Sequence, residues 1–200
     1  MMCQTLTRWS VITLVSGLIA LSGCARQSAP GITLLSLPLP ADAANHRTMR
    51  TLHPDWAVAR IEVPEYLQTN RVRFREGPAT LSEWPQVRWA ERIEVGLTRQ
   101  LTRALSHQLA VCEAPCSQSP AAPTRTLHIR FDELDAQQET HSVRASVVWW
   151  VSEIDLARTP ALTRLTLNEP LPALSAEAYA AALSRLTVRL AEQISAAQRP

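Results

Sequence analysis

The sequence predicts an α+β fold: a single two-layer domain whose antiparallel-rich mixed sheet carries two amphipathic helices on one face, behind a leader that is removed. Three observations predict it. Two long segments repeat apolar residues at helical spacing, and several shorter segments alternate apolar with polar residues. The order is strands, helix, strands, helix. Each helix has one apolar stripe, and a sheet with both helices on one side buries both stripes. No repeat of solenoid length interrupts this pattern.

The elements follow in order. A short strand is expected over Ile32–Leu37, then a polar, proline-bearing loop to about Asp55. Trp56–Val63 reads as a strand that Pro64 ends. Asn70–Glu76 alternates, with Val72 and Phe74 on one face and Arg71, Arg73 and Arg75 on the other. Gly77-Pro78 is a turn signal, and Ala79–Trp84 returns as its partner. The first helix is expected over roughly 88 to 109, with Trp89, Ile93, Leu97, Leu101 and Leu105 on its stripe. Residues 111 to 124 read as a loop. Thr126–Leu134 and His141–Ile154 form a hairpin, and Leu162–Leu167 is the last strand. Ser175 caps the second helix, about 176 to 197, whose stripe is Tyr179, Leu183, Leu186, Leu190 and Ile194.

The N-terminus predicts a fate for the chain. Arg8 precedes an apolar run, Trp9–Leu21, that is short for a bilayer span but has the length of a signal-peptide core. The run ends in Leu21-Ser22-Gly23-Cys24, which resembles the bacterial lipobox. Residues 1–23 are therefore expected to be a cleaved lipoprotein signal peptide, with lipid attached to Cys24. Several acyl chains on one cysteine would hold the protein stably at a membrane. Residues 24–31 form a short tether of little over about 20 Å reach, so the domain, residues 32–200, should sit close to the bilayer.

Composition excludes several classes. All 20 basic residues are Arg, so the chain has no lysine for a Walker A loop or a Schiff base. The formal net charge is only +2, with no clustered basic face of the kind nucleic acid asks for. No H-E-x-x-H, G-x-S-x-G or G-x-G-x-x-G occurs, and the histidines are scattered. No enzyme activity, metal or cofactor is expected.

Cys112 and Cys116, with three residues between them, would pair as a loop disulfide in an oxidising compartment. Trp149 and Trp150 are adjacent on a strand and must point to opposite faces. One lies under a helix. The other is either covered by a loop or part of a contact surface for a partner chain or lipid.

Two segments carry a family resemblance. Ile61-Glu62-Val63-Pro64-Glu65-Tyr66-Leu67 resembles the V-x-L-P-x-Y-L segment of the ABC-type transport auxiliary lipoproteins, the PqiC-like family. Arg88-Trp89-Ala90-Glu91 resembles that family's R-W-A-E segment, and the order from Cys24 onward is also similar. The chain departs from the family after Leu67, where Gln68-Thr69-Asn70-Arg71 stands in place of Asp-Arg-Pro-Gln, and in its Cys112/Cys116 pair.

The resemblance implies a non-enzymatic adaptor lipoprotein of an Mce-type lipid transporter. Its partner would be an Mce-domain protein, with the ATPase and permease on other chains. Pro64, Tyr66, Leu67, Arg71 and Trp150 are the candidate partner-binding residues. Ala25, rather than Asp, after the acylated cysteine favours the outer membrane, facing the periplasm. A homo-oligomer is left open. The rival reading is a structural lipoprotein of envelope assembly, in lipopolysaccharide export or secretion.

Overall fold

The computed structural model describes residues 31–38, 55–106, 109–114, 116, 122–154 and 159–198. The expected signal peptide over residues 1–23, Cys24, most of the expected tether and most of the proline-bearing loop lie outside these residues. Eight strands form one open mixed sheet, and two helices pack on one of its faces. The strands are β1 (Thr33–Leu35), β2 (Trp56–Val58), β3 (Arg71–Arg75), β4 (Leu81–Trp89), β5 (Val111–Glu113), β6 (Arg125–Gln137), β7 (Ser142–Glu153) and β8 (Thr163–Pro170). The helices are α1 (Ile93–Leu105) and α2 (Ala176–Ala197).

β6 is the spine. One edge pairs antiparallel with β7 along its whole length, and β7 pairs antiparallel with β8. The other edge is shared. Its first part takes β2 in parallel, and β2 in turn takes β5. Its last residue, Gln137, pairs with Arg75 of β3, which leads to β4 and then β1. Between the two attachments the chain touches β6 through a single parallel bridge, Glu62 to Arg130.

Alternation decides which side chains enter the core. Leu127, Ile129 and Phe131 of β6 face the helices and are buried. A register shift between Phe131 and Glu133 then moves the pattern by one, so Leu134 and Ala136 continue the buried row. Val143, Ala145, Val147 and Trp149 do the same on β7. The α2 stripe of Tyr179, Leu183, Leu186, Leu190 and Ile194 is fully buried against them. Ser175 caps this helix by accepting from the Ala178 N–H. Gln100 of α1 and Ser184 of α2 meet at 3.1 Å, and both donate to the Pro38 carbonyl, clamping the chain after β1 over the helices.

Four expectations are corrected. Trp89 does not open a helix. It ends β4, its N–H donating to the Asn70 carbonyl, and α1 begins only at Ile93. β4 also runs past Trp84: Pro85 and Gln86 (φ 59°) occupy an irregularity opposite Arg71–Arg73, and pairing resumes at Arg88. Trp56–Val63 is strand only to Val58, because the Ile61 N–H turns to the Thr98 hydroxyl of α1 instead of a neighbouring strand. Finally, Val111–Glu113 is not loop but a third parallel partner at the β2 side. Within it Cys112 is joined to Cys116 beyond its end, their Cα atoms 5.6 Å apart.

Candidate partner-binding site

The Pro64–Leu67 segment is a single 3-10 turn on Glu65–Leu67, closed by the Leu67 N–H donating to the Pro64 carbonyl. Pro64 suits the position before the turn because its fixed φ is already extended-compatible and it has no N–H to satisfy. Leu67 is buried, so it serves the core and offers no surface to a partner, contrary to its candidate role. Tyr66 is half-buried, and its hydroxyl donates to Asp135 Oδ1 at 2.8 Å.

Asp135 is 2% exposed and lies on the sheet face away from the helices. It holds the turn to the sheet. Besides Tyr66 it accepts from Arg75 Nε and Nη2, at 3.0 and 2.8 Å. Arg73 adds a bond to the Tyr66 carbonyl at 2.7 Å. Burial, with the Asp135 charge beside it, pushes the Tyr66 phenol well above its ordinary range, so it stays a donor. Asp135 is the residue that sequence reasoning missed. It stands 69 positions from Tyr66, and nothing local marks it.

Next to this turn is an open cleft of about 730 Å³. Arg60, Glu62, Val63, Pro64 and Gln68 form one wall, Arg92 and Glu94 come from the start of α1, and Arg130 and Asp132 come from β6. The cleft exists because β6 has only one bridge there. Asp132 is neutralised by Arg130 at 2.9 Å and by Arg164 at 3.6 Å. Arg92 Nε lies 2.5 Å from Glu94 Oε1. Glu94 is 4% exposed, and its second oxygen has no partner among the described residues. Arg60 and Glu62 are exposed, with no ion pair among the described residues.

The other candidates lie elsewhere. Arg71 pairs with Glu83 on β4 at 2.7 Å. Trp150 points away from the helices and stacks on His128, ring centroids 5.1 Å apart and planes within 5°. Its strand neighbour Val148 is 1% exposed between Arg130 and Arg164, which Asp132 draws together. That face is therefore covered by arginine stems and stacked rings from the sheet itself. Trp56 is buried under the Arg125 guanidinium, and Trp84 packs between Phe74 and Tyr179.

His128 gives a pH test of this covered face. Burial lowers its imidazole below the ordinary value, and the Glu62 charge opposes the shift. The folded value then lies below the unfolded one, so the unfolded chain binds more protons between the two. Stability is complete above the unfolded value and falls as pH drops through about 6.5. Thermal denaturation between about pH 7.5 and 5.5 should show this slope. His128→Phe, which keeps a ring on Trp150, should flatten it; an unchanged slope would assign the effect elsewhere.

Among the described residues no group of His, Cys, Asp and Glu is placed to hold a metal ion, and no helix is long and apolar enough to cross a membrane. The described residues thus present a surface cleft of fixed charges beside a turn clamped to the sheet. The family model of the ABC-type transport auxiliary lipoprotein component matches residues 35–195, and the chain belongs to that family. A search among curated proteins found no match. Two crystal structures share the fold. One, of an uncharacterised protein, is 16% identical with a TM-score of 0.66, over 84% of this chain and 99% of that one. The other, protein XCC0632 from Xanthomonas campestris, is 14% identical with a TM-score of 0.62, over 83% and 98%.

Proposed function

We propose that this protein is the lipid-anchored, outer-membrane adaptor of an Mce-type ABC lipid transport system. It would be held through Cys24 and would dock a periplasmic Mce-domain partner. The cleft beside Pro64 carries the reading. It presents exposed Arg60 and Glu62, neither of them in an ion pair among the described residues. Such a surface suits a partner segment with charges of both signs, because complementary charges fix register and exclude wrong partners. Membership of an ABC-transport auxiliary family supports the transport role. The lipobox-like Leu21–Cys24 and the following Ala25 support the anchor and its membrane.

The test is site-specific photocrosslinking in native membranes. A crosslinker at Arg60 should capture an Mce-domain protein, and one at Leu162, beside the far edge of the sheet, should not. Arg60→Glu should reduce the crosslink from a neighbouring probe at Gln68 by at least about tenfold, the scale of a lost or reversed charge contact. Capture of a lipopolysaccharide-export or secretion component at the cleft instead would sink this reading.

A further inference from the structure

The sheet face turned away from the helices has a second distinctive region over β1, β4 and β3, next to the clamp that Arg73 and Arg75 make on the Pro64–Leu67 turn. Here the described residues place three of their five exposed large apolar side chains. Ile32 and Leu34 are 64% and 67% exposed, and Leu81 is 36% exposed. The register puts Leu34 and Leu81 on one side, and Ile32 immediately precedes β1, two residues before Leu34. Leu34 stands beside Arg88, Arg88 beside Arg71, and Leu81 beside Arg75. Leu35 and Trp89, one residue on, pack into the core, so Leu34 and Arg88 must face outward.

Between the apolar residues lies a cationic row. Arg71, Arg73 and Arg88 surround one carboxylate, Glu83, whose ionised form all three stabilise, the Arg71 hydrogen bond most strongly. Arg71 closes on Glu83 with both oxygens at 2.7 Å. Arg88 makes no ion pair among the described residues. The face is thus apolar at both ends and positive in the middle.

We infer that this β1–β4–β3 face lies on the bilayer. Ile32 and Leu34 would enter the headgroup region, and Arg88 and its neighbours would pair with lipid phosphates. The inference rests on the lipoprotein reading above, since it is the anchor that brings the bilayer to this face. Ile32 is only eight residues after Cys24, which limits its distance from an acylated cysteine to about 28 Å even on an extended chain. Apolar side chains rimmed by arginines are what an interfacial surface requires. The former gain by leaving water, and guanidinium forks match phosphate oxygens. An anionic leaflet adds long-range attraction. The opposite edge, with Ile154 and Leu162, has no such link to the anchor.

The test uses the full chain, expressed with its leader and purified from membranes. It is reconstituted into vesicles of phosphatidylethanolamine and phosphatidylglycerol. On the proposed reading Cys3 leaves with the leader and Cys24 carries lipid, and Cys112 is bonded to Cys116, so a new cysteine can be labelled alone. An environment-sensitive fluorophore is placed through Leu34→Cys or Ile32→Cys, and in a control through Leu162→Cys. All three sites are exposed and should tolerate the change. The labels at 34 and 32 should shift to the blue and be quenched by shallow doxyl-labelled lipid at least about threefold more than the label at 162.

Adding Arg88→Gln should reduce that quenching in vesicles containing phosphatidylglycerol. Protein that floats with the vesicles while its 34 and 32 labels stay unquenched overturns this inference and leaves the anchor standing. A blue shift without lipid quenching also overturns it, since a protein surface would then cover the face. Protein that does not float overturns the anchor, and this inference with it.

Discussion

Arg75→Met should lower the free energy of unfolding by about 3 kcal/mol, measured by urea denaturation. The substitution keeps most of the side-chain volume but leaves the Asp135 carboxylate, 2% exposed, with only the Tyr66 hydroxyl as a partner. Breaking a buried pair by removing one member costs about 3–5 kcal/mol. The low end applies because the Arg75 side chain is itself 24% exposed and already shares its charge with water. Asp135→Asn should cost less, since Arg75 can turn outward and an amide oxygen can still accept from Tyr66. Tyr66→Phe should cost about 1 kcal/mol, the net worth of one hydrogen bond. If Arg75→Met were no worse than Tyr66→Phe, the ion pair would not be what holds the Pro64–Leu67 turn to the sheet.

Tyr179→Ala should be the most destructive single change, at about 4 kcal/mol. This side chain ties α2 to both halves of the sheet. Its ring lies 5.8 Å from Trp84 and 6.0 Å from Trp89 on β4, and its hydroxyl donates to the Leu134 carbonyl of β6 at 2.9 Å. Burial keeps the phenol protonated far above the usual range, so the bond persists at any working pH. Tyr179→Phe should cost about 1–2 kcal/mol, because the ring contacts remain while a buried carbonyl loses its donor. With total stability of about 5–15 kcal/mol for a domain, the alanine variant should be close to unfolding at 37 °C and the phenylalanine variant should not. Equal losses in the two variants would mean that the hydroxyl, and not the ring, dominates.

The parts of this fold that are legible in the sequence are those written locally. α2 has its cap at Ser175 and five stripe residues at helical spacing, and all of them land where the pattern puts them. The β6–β7 hairpin is written in alternation, and only its turn is misjudged: His141 belongs to the turn, with φ 46°, and does not open the strand. Trp89 shows where periodicity fails. It is four residues before Ile93 and buried on the same core, but a strand end and a helix start deliver it there equally well. A four-residue spacing cannot tell the two apart.

The candidate site is less legible. Pro64 and Tyr66 lie beside or along the cleft, but their meaning depends on Asp135 and Arg130, which arrive from a strand about seventy residues later. Leu67 was indistinguishable in sequence from a surface residue of the same motif, because one 3-10 turn places neighbouring side chains on different sides. The outward arginines of β3 are legible by alternation; their apolar neighbours on β1 and β4 are not, since only the register brings them together.

The shared edge of β6 has a consequence for how the chain reaches its folded state. Everything before β6 arrives first when a polypeptide is exported from its N-terminus. β2 needs β6 as its neighbour, some 69 residues downstream, and β3 needs Gln137. The β6–β7–β8 meander can zip up from short-range pairings, whereas the earlier strands must wait and then close long loops onto a finished template. During that interval Val58, Ile61 and Val72, all nearly inaccessible in the finished domain, have nothing to cover them. On the lipoprotein reading, a chain of this topology emerges across its membrane with these core residues uncovered, and its dependence on holding chaperones in transit should track the delay before β6 emerges.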